Sequence, residues 1–190
     1  MKYLILDTES GSRHANSTLL TAYFMVMDDD FQLLGDLHLR LKPEQNEHYI
    51  VDAQGLAVNG INIVEHDKVS IPCKQAKPLL YEFLKKHSTN ERLTPVGHAV
   101  KGDIRRIVDN LISEGSWEQF CTYHYLDTSV ILQFLRACGK MPLDTDGSVS
   151  ALCKHFKMNQ SAGDDAQYHD AAFDTKSTAK ILKKFIELGK

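Results

Sequence analysis

The chain is short of every feature that marks a special environment. Its four cysteines, Cys73, Cys121, Cys138 and Cys153, form no CxxC pair, which removes the common zinc-ribbon and dithiol spacings and leaves reduced, mostly buried thiols of an intracellular protein. Basic charge is not in excess: 22 Lys and Arg stand against 25 Asp and Glu, for a net charge of -3. No overall positive field exists, so any nucleic-acid contact has to be local or mediated by metal ions that offset the acids. The N-terminal apolar run, Tyr3 to Leu6, is far too short for a signal segment or a membrane span. A soluble, cytoplasmic protein with no membrane partner is the expectation. Internal repeats, low-complexity stretches and linkers are also missing. With 190 residues, 43% of them hydrophobic, the chain suffices for one full core, and residues 1–190 read as a single domain.

Against that background the pattern of elements stands out. Tyr3 to Leu6 is a short apolar run ended by "DTESGSRHANS", as in a central strand followed by a loop. "TLLTAYFMVMD" and "FQLLGDLHLRLK" follow across a "DDD" turn. In the second, Leu37, Leu39 and Leu41 alternate with His38 and Arg40, the period-two mark of a strand with one face in solvent. An antiparallel meander of three strands is predicted here.

From about Asp52 the apolar spacing becomes helical, in "AQGLAVNGI" and "KQAKPLLYEFLKK", with Asn59-Gly60 as a helix stop between them. "RLTPVGH" reads as a strand and "DIRRIVDNLI" as a helix with Ile104, Ile107, Val108, Leu111 and Ile112 on one stripe. "FCTYHYLD" reads as a further strand, "TSVILQFLRACGK" and "SVSALCKHF" as helices, and a long helix runs from about Asp170 to Leu188. The sum is an α/β domain, a mixed sheet flanked by helices.

Acids fall at the ends of these elements. Asp7 and Glu9 close the first strand, Asp103 opens the helix after "GH", and Asp174 lies near the start of the last helix. Buried carboxylates are costly unless paired or bound to a cation. Hard oxygen ligands without nearby cysteine suit Mg²⁺ or Mn²⁺ better than Zn²⁺. Singly, each acid has an ordinary reading: Asp103 as a helix N-cap, "DTE" as a chance triplet. Cys121 with His124, and Cys153 with His155, read as core thiols beside surface histidines.

Jointly the acids are more specific. "DTE" ending the first strand, "GHAVKGD" after a later strand and "HDAAFD" entering the final helix occur in the order of the three motifs of the DEDDh exonucleases. On these residues the chain resembles that family, the DnaQ-like 3′–5′ exonucleases of the RNase H-like superfamily. The resemblance implies an RNase H-like mixed sheet, an antiparallel three-strand meander plus two parallel strands, flanked by helices. It makes Asp7, Glu9, Asp103 and Asp174 the metal ligands, with two Mg²⁺ or Mn²⁺ ions per site, and puts His169 in the place of the general base. His98 opens the second motif and is read as structural.

Phosphodiester hydrolysis fits these residue types. Two divalent cations about 4 Å apart stabilise the attacking and leaving oxygens, and carboxylates are needed to hold them. Asp7 and Glu9, two apart on a strand, point to one side. The implied substrate is the 3′ end of single-stranded DNA or RNA. Thr8 and Ser10, in the segment resembling the family's terminal-nucleotide cradle, are candidate substrate contacts; Lys101, Arg105 and Arg106 are candidates for phosphates or a solvated helix face. Lys176, Lys180, Lys183 and Lys184 read as a solvated face, and Tyr168, Phe173 and Phe185 as core.

Gly102 before the second-motif acid resembles RNA-directed members and "VDAQGLAVNGI" resembles DNA-directed ones, so the sugar stays open. A polymerase or homodimer partner is left open as well. The rival readings are a binding module that has lost catalysis and a hydrolase of mononucleotides. If His169 is the base, with an ordinary pKa of about 6.5, activity falls as pH drops through that value. His169→Ala then loses turnover while keeping metal affinity, read by metal titration beside an activity assay.

Overall fold

The computed structural model describes residues 1–14, 16–158 and 170–190. Strand β1 (Tyr3–Ser10) lies inside the sheet. It pairs antiparallel with β2 (Leu19–Met27), which pairs antiparallel with β3 (Leu33–Lys42). On its other side β5 (Thr94–Gly97) runs parallel to β1, and β6 (Leu126–Asp127) runs parallel to β5. The expected meander and two parallel strands are therefore present. One addition, the two-residue β4 (Ile71–Pro72), pairs parallel with β3, so the order is β4-β3-β2-β1-β5-β6.

The helices are α1 (Ala53–Asn59), α2 (Ile63–Val69), α3 (Cys73–His87), α4 (Lys101–Asn110), α5 (Glu114–Phe120), α6 (Thr128–Ala137), α7 (Val149–His155) and α8 (Ala171–Gly189). The stop read at Asn59-Gly60 is made by Gly60, which takes φ 66° and donates its N–H to the Leu56 carbonyl. That left-handed conformation suits glycine because it has no Cβ.

Two apolar layers explain why Tyr3 to Leu6 and most of β2 are buried without alternation. Leu4 and Leu6 pack with Phe24, Leu39, Leu80, Leu84 and Ile107 beneath α3 and α4. Tyr3 and Ile5 pack with Tyr23, Met25, Ala179 and Leu182 beneath α8. A third cluster, with Leu132, Leu152, Ile181 and Phe185, joins α6 and α7 to α8. The alternation along β1 continues past Leu6, sending Thr8 to the α4 face and Asp7 and Glu9 to the α8 face.

Three sequence readings change. "FCTYHYLD" is not a continuous strand: Phe120 ends α5 and packs edge-to-face on Tyr81 with ring centroids 5.0 Å apart, Cys121 makes one isolated bridge to Leu93, and only Leu126–Asp127 joins the sheet. The Ser113 side chain caps α5 by accepting from the Ser116 N–H, so the aromatic residue is drawn into a helix. Helix α2 was not foreseen; Asn62 starts it by accepting from the Val64 and Glu65 N–H groups. Finally, the face of β3 carrying His38 is not simply solvated, because His38 is half-buried on the α8 side of the sheet.

Candidate functional site

Asp7, Glu9 and Asp174 come together where β1 ends beneath the first turn of α8. Their carboxylate oxygens lie within 4.8 Å of one another, and each residue is half-buried. The strand supplies two of them because its period of two repeats the side-chain direction. The helix supplies the third because Asp170 fixes its start: the Asp170 side chain accepts from the Phe173 N–H at 3.0 Å, which sets Asp174 in the first turn.

Asp103 arrives from the opposite face of the sheet. It is 8% exposed and lies in the first turn of α4, whose N-cap residue is Val100 with no side-chain cap. The N-cap reading is thereby corrected. Thr8 donates its hydroxyl to Asp103 Oδ1 at 2.6 Å. Thr8 is thus the link that joins the α4 acid to the strand carrying Asp7 and Glu9.

Four acids this close disturb one another. Burial, and then the charges of Asp103, Glu9, Asp174 and Asp170, push Asp7 well above the usual carboxylate range. Burial, with Asp174, Asp103 and Asp170, raises Glu9 to about 8, against the pull of Arg106. Burial raises Asp103 to about 6, and the Thr8 hydroxyl and Arg106 oppose it. Converging hard oxygen donors whose charges repel are the donor set a Mg²⁺ or Mn²⁺ ion fits. Among the described residues this is the only group of three or more ligating side chains that converges. Cys121 is buried, which pushes its thiol up, and among the described residues it joins no converging ligand group with His124.

Beside the acids lies a cavity of about 350 Å³, walled by Thr8, Glu9 and Ser10, by Ser12, Arg13 and His14, by α1 and by Arg106. Backbone packing holds its wall. The Asp52 N–H donates to the Gly11 carbonyl at 2.9 Å, Asn59 Nδ2 donates to the Ser10 carbonyl at 3.1 Å, and Asp52 caps α1 by accepting from the Gly55 N–H at 2.6 Å. A Cβ on Gly55 would lie 2.4 Å from the Gly11 carbonyl oxygen, so glycine is needed where helix and loop touch.

Of the two candidate substrate contacts, Thr8 has its hydroxyl donated to Asp103, and Ser10 donates its own to the Ser12 carbonyl at 2.8 Å. Both residues line the cavity. Among the candidate cations only Arg106 reaches it. Lys101 and Arg105 line a different groove of about 650 Å³ with Trp117, Tyr123 and Tyr125, and Arg105 bonds Asp109 at 2.7 Å. His98, just after β5, lies 2.9 Å from the Thr128 hydroxyl at the start of α6. His169 and Tyr168 lie outside the described residues. Phe185 is core, and Phe173 is half-buried. Lys176 and Lys183 sit over the rings of Tyr23 and Phe31, at 5.7 and 5.8 Å from their centroids, so the solvated reading of that helix face is incomplete. Sequence reasoning missed Asp170 as a member of the acid group. Its signal was its place at the start of the last helix, four residues before Asp174.

Comparison with known proteins bears on the fold. No family model matches the chain, and no curated protein matches it. Solved structures do. E. coli exonuclease I in complex with a dT13 oligonucleotide matches with a TM-score of 0.74 and 17% identity, over 96% of this chain and 40% of that one. Cell-death related nuclease 4 (CRN-4) matches with a TM-score of 0.71 and 15% identity, over 99% of this chain and 64% of that one. The fold is the RNase H-like fold of these nucleases. The DnaQ-like resemblance read from the motifs thus holds at the level of the fold. This chain spans about 40% of the length of exonuclease I, and among the described residues no helix is long and apolar enough to cross a membrane.

The raised carboxylates predict an inverted pH response in metal-free protein. Glu9 ionises near 4.5 when unfolded and near 8 when folded, so its stabilising share is complete below pH 4.5 and is lost as pH rises through 8. In chelator, unfolding stability falls between pH 5.5 and 8.5 by on the order of a few kcal/mol. Asp7→Asn removes part of the repulsion and flattens the fall, while raising stability at pH 8.5. His38, His87 and His98, held below their ordinary 6.5 chiefly by burial, act in the other direction near pH 6, equally in both proteins. Thermal melts of the two across that range provide the check.

Proposed function

We propose that the chain is a metal-dependent 3′–5′ exonuclease of the DEDDh type, hydrolysing single-stranded DNA or RNA and releasing nucleoside monophosphates. The observation that carries this reading is the meeting of Asp7, Glu9 and Asp174 with the Thr8-held Asp103, on the fold shared with exonuclease I. Exonuclease I binds a dT13 oligonucleotide in one of its structures, which supports a single-stranded substrate for this chain too.

In this reading Asp7, Glu9, Asp103 and Asp174 hold two Mg²⁺ or Mn²⁺ ions, which supply Lewis-acid stabilisation of the attacking and leaving oxygens when bound. The cavity beside Glu9, at about 350 Å³, is at the small end of ligand sites, about 300–1,000 Å³, and receives the 3′-terminal nucleotide. Arg106, whose charge acts on both Glu9 and Asp103, faces the terminal unit and offsets negative charge there. Thr8 keeps Asp103 turned toward Asp7. His169 takes a proton from the attacking water, the water oxygen bonds to phosphorus, and the P–O3′ bond breaks. The shortened strand leaves with a 3′-hydroxyl and the released nucleotide carries the 5′-phosphate. The group that protonates the leaving oxygen is solvent or the same histidine.

Incubation of 5′-labelled single-stranded DNA and RNA oligonucleotides with Mg²⁺ or Mn²⁺ tests the reading. A ladder that shortens from the 3′ end, disappears with chelator and is absent in Asp7→Ala is expected. Asp103→Asn should slow it by about 10³-fold, the scale on which one electrostatic group at a reacting centre acts. Intact oligonucleotides with either metal, or faster hydrolysis of a nucleoside triphosphate than of an oligonucleotide, contradict the proposal.

A further inference from the structure

The strand register continues the acid site sideways across the sheet. Asp7 of β1 lies opposite Tyr23 of β2, which lies opposite His38 of β3; Glu9 lies opposite Thr21, which lies opposite Arg40. Directly opposed residues share a face, with Cβ atoms about 4.5–5.5 Å apart. Thr21, Tyr23, His38 and Arg40 therefore form a strip on the α8 side of the sheet, beginning at the acids. Contacts agree: Tyr23 and His38 meet edge-on with ring centroids 5.4 Å apart, and Lys176 of α8 lies 5.7 Å above the Tyr23 ring.

The chemistry of the strip is opposite to that of the acids. Arg40 and Lys176 are exposed, and neither is ion-paired among the described residues. Tyr23 donates its hydroxyl to Asp36 at 2.5 Å, which locks the ring beneath Lys176. His38 Nε2 is buried with no hydrogen-bond partner among the described residues, and Thr21 and Tyr23 are buried as well, so Arg40 and Lys176 are the groups the strip presents to solvent. None of these residues lines the cavity beside Glu9. The cavity is built by the loop after β1, α1 and α4; the strip lies under α8. A strand whose last nucleotide fills the cavity and whose next phosphate meets the acids has its remainder directed toward the strip.

We propose that Arg40 and Lys176, held on a platform of Thr21, Tyr23 and His38, bind the phosphodiester backbone of single-stranded nucleic acid upstream of its 3′-terminal unit. The proposal rests on the exonuclease reading for its direction. Arg40 and Lys176 each meet a phosphate, and Thr21, Tyr23 and His38 hold the platform beneath them. The strip makes the enzyme sense length, since a short substrate offers few phosphates upstream of the scissile one.

The test compares wild type with Arg40→Ala/Lys176→Ala, using fluorescein-labelled dT12 and dT3. Anisotropy in chelator reads dT12 affinity between 50 and 200 mM salt; cleavage with Mg²⁺ reads kcat/KM for both lengths. Two lost phosphate contacts weaken dT12 binding by about 10-fold and reduce the salt slope by about 1.4. The dT12 to dT3 ratio of kcat/KM also falls by about 10-fold. Arg40→Lys/Lys176→Arg keeps both charges and restores binding, which separates charge from folding. Unchanged affinity and slope in the alanine variant, equal loss for both lengths, failure of the charge-keeping variant to restore binding, or no binding of dT12 by wild type overturns the proposal. Wild type that binds dT12 but cleaves neither length overturns the exonuclease reading instead, and the anisotropy comparison still decides the strip.

Discussion

Mutual repulsion among carboxylates at the end of a buried strand is the constraint on which the structure turns. Asp7, Glu9 and Asp174 converge within 4.8 Å, with Asp103 tied to the same strand through Thr8. Burial strengthens every interaction between them, because the medium screens charge less than water does. Metal-free protein relieves the strain by keeping protons on some of the acids: burial first, and then the charges of Asp174, Asp103 and Asp170, drive Glu9 to about 8. A cation relieves it without protons, and the apolar layers above and below β1 hold the acids together in its absence.

The sheet makes this possible by dividing its two faces. Leu4 and Leu6 point into the layer beneath α3 and α4, Tyr3 and Ile5 into the layer beneath α8. At Leu6 the core ends, yet the alternation does not, so Thr8 inherits the α4 face and Asp7 and Glu9 the α8 face. Each helix then brings one acid to the strand from its own side. The same division places the cavity with α1 and α4 and the cationic strip with α8, so a single strand of protein separates where a terminal nucleotide would sit from where the rest of its chain would lie.

Much of this was legible in the sequence, for a definite reason. The buried run before "DTE", the stop at Gly60 and the acids entering α4 and α8 are local patterns, and local patterns survive folding. The strip was not legible. His38 and Arg40 alternate with leucines as solvent-facing residues do, and only register, set by pairing across β2, shows that they continue the rows begun by Asp7 and Glu9. Arg105 and Arg106 are equivalent by composition, yet one helix position turns Arg106 to the acids and Arg105 to Asp109. "FCTYHYLD" misled because Phe120 belongs to α5 and packs on Tyr81, a contact distant in sequence. Asp170 was hidden for a related reason: an N-cap reads the same whether or not its charge reaches a neighbouring strand.

The most direct measurement is calorimetric titration of Mg²⁺ and Mn²⁺ into metal-free protein at pH 7, in two buffers of different ionisation enthalpy, so that the protons released can be counted. If burial and repulsion hold protons on Asp7 and Glu9 until a cation arrives, binding releases protons at pH 7, and the release fades by pH 9, above the value of about 8 for Glu9. Binding without proton release at pH 7, or no binding of either ion, would contradict the account.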